Sequence, residues 1–205
     1  MVVLAYPNRR SALSGESVQP GGRPAAPGDL ALVQEFVNTH YDLASGDGDE
    51  LLKTPERLSR WLADHELIAS GTVLSPSQLA RALAVREGLR SLAYGNGGEP
   101  PPEQPLTALD GEAASAAVEV SLRSDGPAFR PAGDDEFERA IAVLVAIVAR
   151  AMLTGRWARL KACPGEHCGW AFYDHSRNRT GRWCSMSICG GRAKSRAHYR
   201  RRRGR

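Results

Sequence analysis

The chain has 205 residues, of which 27 are Lys/Arg, 23 Asp/Glu and four Cys, and its formal net charge is +4. That length accommodates one compact domain plus a small module, and neither an internal repeat nor a secretory signal is visible. The small net charge conceals a lopsided distribution: residues 156–205 hold fourteen Lys/Arg and two acids, a net of +12, which leaves the first 155 residues at −8.

Residues 1–27 contain Pro7, Pro20, Gly21, Gly22, Pro24 and Pro27, with few apolar residues after Leu13, and are expected to be a disordered N-terminal segment. From Gly28 the chain reads as a mostly helical body. Leu30, Val33, Val37 and Tyr41 follow helical spacing, with Phe36 and His40 beside them. A second helix opens with Thr54 as cap and Pro55 at its first position, and runs to about Leu67. A third opens on the capping-box pattern Ser75-Pro76-Ser77-Gln78 and ends near Gly95. After a Gly/Pro-rich loop, a short helix is expected around Leu106–Ala114. Val118–Leu122 alternates as a strand, and the turn Ser124-Asp125-Gly126-Pro127 leads back through Ala128-Phe129-Arg130 as a hairpin.

Asp134 is placed to cap the last long helix and Gly155 to stop it. Ala140–Ala149 is uncharged throughout, so this helix should be buried nearly all round. Ten residues rise only ~15 Å against a hydrocarbon thickness of ~30 Å, which excludes a membrane span there. Trp157 and Leu160 carry the chain onward with no room for a linker, so the two parts should sit in a fixed relation.

All four cysteines lie in the final segment as two Cys-x4-Cys pairs, Cys163/Cys168 and Cys184/Cys189. Such pairs suit one tetrahedral zinc ion, with the intervening residues long enough for a β-hairpin to bring the knuckles together. A disulfide pair would need an oxidising compartment, and an iron–sulfur cluster would also take four thiolates; the basic surroundings and the spacing favour zinc. His167 and His175 could replace a cysteine but read more naturally as polar residues of the module. Four thiolates leave no open coordination position, so the ion is structural. About forty residues cannot bury enough apolar surface to fold alone, and zinc at such a site contributes on the order of 10–16 kcal/mol.

From about Gly191 a last helix would align Arg192, Arg196, Arg200 and Arg203 as a basic stripe, with Lys194 nearby and Arg177, Arg179 and Arg182 extending the surface from the hairpin loop. Charge alone points to a nucleic-acid partner, and the same tail would serve DNA and RNA equally well; an acidic protein partner docked on a zinc-stabilised interaction module is the third reading. No Gly-rich phosphate loop, nucleophile elbow or open metal position marks an enzyme. The expected fold class is therefore α+β: a mostly helical body (residues 28–160) with one β-hairpin, then a small four-cysteine zinc-finger module (161–205) made of a hairpin and a C-terminal helix.

The run from Cys163 to about Lys194, with Trp170, Phe172-Tyr173-Asp174, Ser176-Arg177-Asn178, Arg182-Trp183-Cys184-Ser185-Met186 and Cys189-Gly190 in place, resembles the CGNR zinc finger of bacterial regulators. In that family the finger follows an ABATE domain, described as a stress-induced transcription regulator. Phe36-Val37-Asn38-Thr39 and Val85-Arg86-Glu87-Gly88-Leu89 are similar to recurring motifs of that domain. The resemblance implies a bacterial, cytoplasmic, DNA-binding protein, associated with the nucleoid. Gly191 stands where the family has Asn, a residue that could cap the following helix or contact DNA; as a cap its replacement by Gly costs only roughly a few tenths of a kcal/mol. In the body, Arg86 falls on an apolar helical arc and needs acceptors. With Asn38 it could form the polar floor of a pocket for a small anionic effector; alternatively it stitches the domain to helix C-terminal carbonyls, the reading favoured here. The body would act as sensor or dimerisation unit, so a homodimer is among the expected assemblies.

Overall fold

The computed structural model describes residues 19–41, 50–98, 100, 103–124 and 126–203. Among these the chain forms six α-helices and two two-stranded antiparallel sheets, the expected α+β class. The body comprises α1 (Leu30–Val37), α2 (Pro55–Asp64), α3 (Pro76–Asn96), α4 (Glu103–Ser115), the hairpin β1 (Val118–Arg123) and β2 (Gly126–Pro131), and α5 (Glu136–Leu153). The C-terminal module comprises β3 (Leu160–Ala162), β4 (Ala171–Tyr173) and α6 (Gly191–Arg203).

The helix starts follow local chemistry. Thr54 caps α2 by accepting from the Arg57 N–H, and Ser75 and Gln78 close a reciprocal capping box on α3. Asp135, rather than the expected Asp134, caps α5: its Oδ1 accepts from the Glu138 N–H at 2.9 Å. Helix α1 ends at Val37, four residues short of Tyr41, because Asn38 turns its side chain onto β4 and Thr39 Oγ1 donates to the Phe36 carbonyl at 2.7 Å. Phe36, Leu58, Leu62, Val85, Phe137, Ile141 and Leu144 are essentially inaccessible and form the centre of the body, with α5 buried along most of its circumference. No helix among the described residues is long and apolar enough to cross a membrane.

The two parts share one core. Leu160, Ala171 and Tyr173 of the β3–β4 hairpin belong to the same buried cluster as α1, α3 and α5. Residues 1–18 lie outside the described residues, but residues 19–27, expected to be disordered, are packed between body and module. Gln19 and Ala26 are buried, and a turn at Pro20–Gly22 brings Gly21 so close to Ser185 that a Cβ there would approach its Oγ to 2.9 Å. The glycines and prolines that suggested disorder instead permit this close passage.

Candidate metal centre and nucleic-acid interface

Strand β3 delivers Cys163, whose N–H donates to the Trp170 carbonyl at 2.9 Å and so extends the β3–β4 ladder by one step. The first Cys pair is therefore the tip of the hairpin. This differs from the expected hairpin between the two pairs: residues 174–183 form a loop instead. Gly169, at φ 61°, and the Cys168 N–H bond to the Gly165 carbonyl (2.9 Å) fold the knuckle back on itself. Gly165 lies so close to the second knuckle that a Cβ would come within 3.0 Å of Cys189 Sγ.

The second pair brackets the start of the last helix. Ser185 caps a π turn at Met186–Gly190 that runs directly into α6. A Cβ at Gly190 would meet Met186 Sδ at 2.8 Å, so a side chain there would have to displace the exposed Met186 thioether. Gly191, by contrast, already has helical dihedrals (φ −60°, ψ −45°). The cap of the continuous π turn and α6 is thus Ser185, and a family Asn at position 191, the first residue of α6, would be in helical conformation and not at an N-cap.

All four cysteines are buried and free of disulfides, and their four sulfurs lie within 4.8 Å of one another. Cys168 Sγ is 3.7 Å from Cys184 Sγ, which is 3.6 Å from Cys189 Sγ. A zinc–sulfur bond of about 2.3 Å gives tetrahedral edges of about 3.8 Å, so the cluster has the size of one ion, whereas a multi-iron cluster would spread its thiolates further. Electrostatics points the same way. The Cys163 thiol is held far below its ordinary value by hydrogen bonds from Cys168 and Cys184, and that anion in turn pushes those two thiols up. Burial raises Cys189 as well. Four sulfurs cannot all ionise in this space without a cation among them, and the residues fit one structural zinc ion held by Cys163, Cys168, Cys184 and Cys189. His167 and His175 are not part of the cluster: His167 is exposed, and His175 lies against the Pro24 and Ala25 carbonyls.

A shell that the sequence did not announce fixes the centre. Arg23 donates to the carbonyls of Tyr173, Trp183 and Cys184 and lies 4.8 Å above the Phe172 ring. Gln19 Oε1 accepts from the Trp170 indole N–H and from Gln34 Nε2, both at 2.9 Å. The available sequence signal was Gln34, an amide on the apolar arc of α1 between Leu30 and Val37. Asp174 is fully buried and organises the loop after β4, accepting from Lys161 Nζ, Ser176 N and Oγ, and the Gly181 N–H. Burial opposes its charge, but hydrogen bonds from Ser176 and Lys161 outweigh burial and hold the carboxyl well below the usual range.

That loop exposes Arg177 and Arg179, and Arg182 projects beyond it over the Trp183 ring at 5.5 Å. On α6, Arg192, Lys194, Arg200 and Arg203 are exposed, and Arg196, half-exposed, pairs with Glu166 of the first knuckle at 3.2 Å. Arg196, Tyr199, Arg200 and Arg203 line one shallow depression, which brings together three of the four arginines expected in the stripe; Arg192 is exposed but does not line it.

The body residues Asn38 and Arg86 are occupied differently from the pocket considered above. Asn38 pairs with the Ala171 backbone. Arg86 is 3% exposed, and all three of its guanidinium nitrogens are engaged: by Glu50 on both oxygens (2.8 and 2.6 Å), by Glu87 (2.9 Å) and by Thr39. The role of capping helix C-terminal carbonyls, expected of Arg86, belongs to Arg90 one turn later, which donates to the carbonyls of Val37, His40 and Gly169.

Two family matches cover these parts in order. Residues 159–202 match the CGNR zinc finger, and residues 30–156 match ABATE, described as "Putative stress-induced transcription regulator". Neither is a family of enzymes. No curated protein matches the chain. The ABATE match alone spans well over half of the sequence, and the chain belongs to that family, with a CGNR zinc finger at its C-terminal end.

Proposed function

We propose that this chain is a stress-responsive transcription regulator that binds DNA through α6. The observation that carries this reading is the seating of α6: it grows out of the second cysteine knuckle and presents Arg196, Arg200 and Arg203 on one open face. A helix of this length fits the major groove, and fixed guanidinium groups position it on phosphates or pair with guanine edges. Arg192, Lys194, Arg177, Arg179 and Arg182 extend the basic surface, while the acidic body is repelled by the polyanion and so orients the complex. The protein would act on the nucleoid in the cytoplasm.

One observation favours RNA as the second reading. Tyr199 is 66% exposed on the same face as those arginines and is free to stack on an unpaired base. Genome-wide crosslinking of the intact protein beside Cys184→Ser decides among these. Discrete DNA sites that disappear in the variant support the regulator. Enrichment of transcripts alone would favour RNA, and enrichment of neither would leave only a protein-interaction module.

A further inference from the structure

The hairpin β1–β2 stands apart from everything described so far. Neither strand contributes a side chain to the buried core, although β2 lies along α5. A two-stranded hairpin is marginally stable by itself, and sheets hold when three or more strands pair. Here Val120 and Leu122 on β1 are 58% and 89% exposed, which water does not favour.

The two edges differ. The Ala132 N–H bonds to the Ala117 carbonyl, so odd-numbered β1 residues make the ladder, and Val118, Val120 and Leu122 turn their backbone groups to the free edge. On β2 the outward positions are Pro127, Phe129 and Pro131, and the two prolines have no N–H to offer. The β2 edge is blunted against pairing; the β1 edge keeps all its donors and acceptors.

We propose that the β1 edge pairs antiparallel with the β1 edge of a second copy of this chain, forming a four-stranded sheet across a two-fold axis. The sequence of β1 complements itself in one register. With Ser121 facing Ser121 of the second copy on the axis, Val120 faces Leu122 and Glu119 faces Arg123 of that copy, and each pair recurs by symmetry. Glu119 already pairs with Arg130 across the hairpin, so Arg123 of the second copy completes an alternating cluster. The outward backbone groups of Val120 and Leu122 fall opposite each other, as ladder bonds require.

Sedimentation of the full, zinc-loaded chain tests the pairing. Its mass should rise from 22.1 kDa toward twice that value with concentration. Leu122→Glu and Arg123→Glu, both at exposed positions, should keep the circular dichroism of the parent and dimerise at least about tenfold more weakly. The triple reversal Glu119→Arg/Arg123→Glu/Arg130→Glu should restore the dimer. Under mild oxidation Ser121→Cys should link two chains and Val120→Cys should not. A chain that stays monomeric throughout, a dimer indifferent to both single variants, or linkage through Val120→Cys in place of Ser121→Cys would overturn the proposal.

Discussion

Asn38 and Ala171 bond to each other as residues on neighbouring strands do. Asn38 Nδ2 donates to the Ala171 carbonyl at 2.9 Å, and Asn38 Oδ1 accepts from the Ala171 N–H at 2.7 Å. The amide at the end of α1 thus serves as one rung of sheet for the edge of β4 that β3 does not pair, and fastens the body to the hairpin that carries the first cysteine pair. Gln34 adds a second donor to the same carbonyl at 3.1 Å. Replacing Asn38 by Ala leaves the buried Ala171 N–H without its acceptor, at a cost of about 1–3 kcal/mol. Urea unfolding of the full chain should show that loss; Asn38→Asp, which keeps an acceptor for the N–H, should recover part of it.

The same joint changes what zinc removal does. Were the module independent, chelation would unfold it and leave the body untouched. But Leu160, Ala171 and Tyr173 belong to the body's core, and Arg90 and Asn96 donate to the carbonyls of Gly169, Trp157 and Leu160. Without the ion the knuckles have too little apolar surface to hold their shape, so α6 should unfold and the body should lose partners for these buried donors. A chelator should therefore lower far-ultraviolet helicity and also the Tm of the remaining transition by several degrees. A body transition at an unchanged temperature would show that the shared core matters little.

Much of this was legible in the sequence because the signals are local. Ser75 and Gln78, Thr54 and Pro55, and the paired cysteines act within four or five residues of themselves. What was not legible depends on partners far along the chain. Arg86 and Arg90 are both arginines on one helix, and only the fold decides that the first meets Glu50 and the second meets backbone carbonyls. Arg23 was hidden by composition, since Pro and Gly flank it whether the segment is disordered or threaded against Cys184. The cap at Ser185 was not legible because the π turn at Met186–Gly190 runs into α6 without a break, and no periodicity reveals such a turn.

The buried arginines also set a pH dependence. Burial works against the charge of Glu87, but Arg90 and Arg86 outweigh it and hold its carboxyl below the ordinary range; Glu50 is lowered in the same way by Arg86 and the Leu52 N–H. A carboxylate whose folded pKa lies below its unfolded value of about 4.3 stabilises the fold above that pH, and the contribution is lost as pH falls through the folded value. Glu87→Gln should therefore be less stable than the parent at pH 7, and the difference should shrink as pH falls below the unfolded value of about 4.3. Comparing the two chains at each pH cancels the effect of acid on the cysteine centre. A difference that stays constant with pH would remove Glu87 from this account.

Gly191 offers a test of the family departure. A Cβ at this position would meet only the Met186 carbonyl, at an ordinary 3.5 Å, and the backbone is already helical. Gly inside a helix costs roughly 0.5–1 kcal/mol relative to Ala, and Asn somewhat less. Gly191→Asn should fold with equal or slightly greater stability in thermal unfolding. A lowered Tm would mean that the junction of the π turn and α6 needs glycine for a reason beyond space and dihedral angles.

Salt dependence measures the proposed role of α6 most directly. Each phosphate neutralised on B-DNA contributes about −0.9 to the slope of log K against log salt, so six contacts give a slope of about −5. Replacing Arg196, Arg200 and Arg203 together by Ala removes the charges lining the open face and should flatten that slope by nearly 3. None of the three lies in the core, so the fold should persist, and loss of the Arg196–Glu166 pair should cost at most about 1 kcal/mol. Filter binding on a random duplex from low to moderate salt supplies both slopes. If the variant keeps the parent's slope, the phosphates are met elsewhere, and the loop arginines Arg177, Arg179 and Arg182 become the surface to change next.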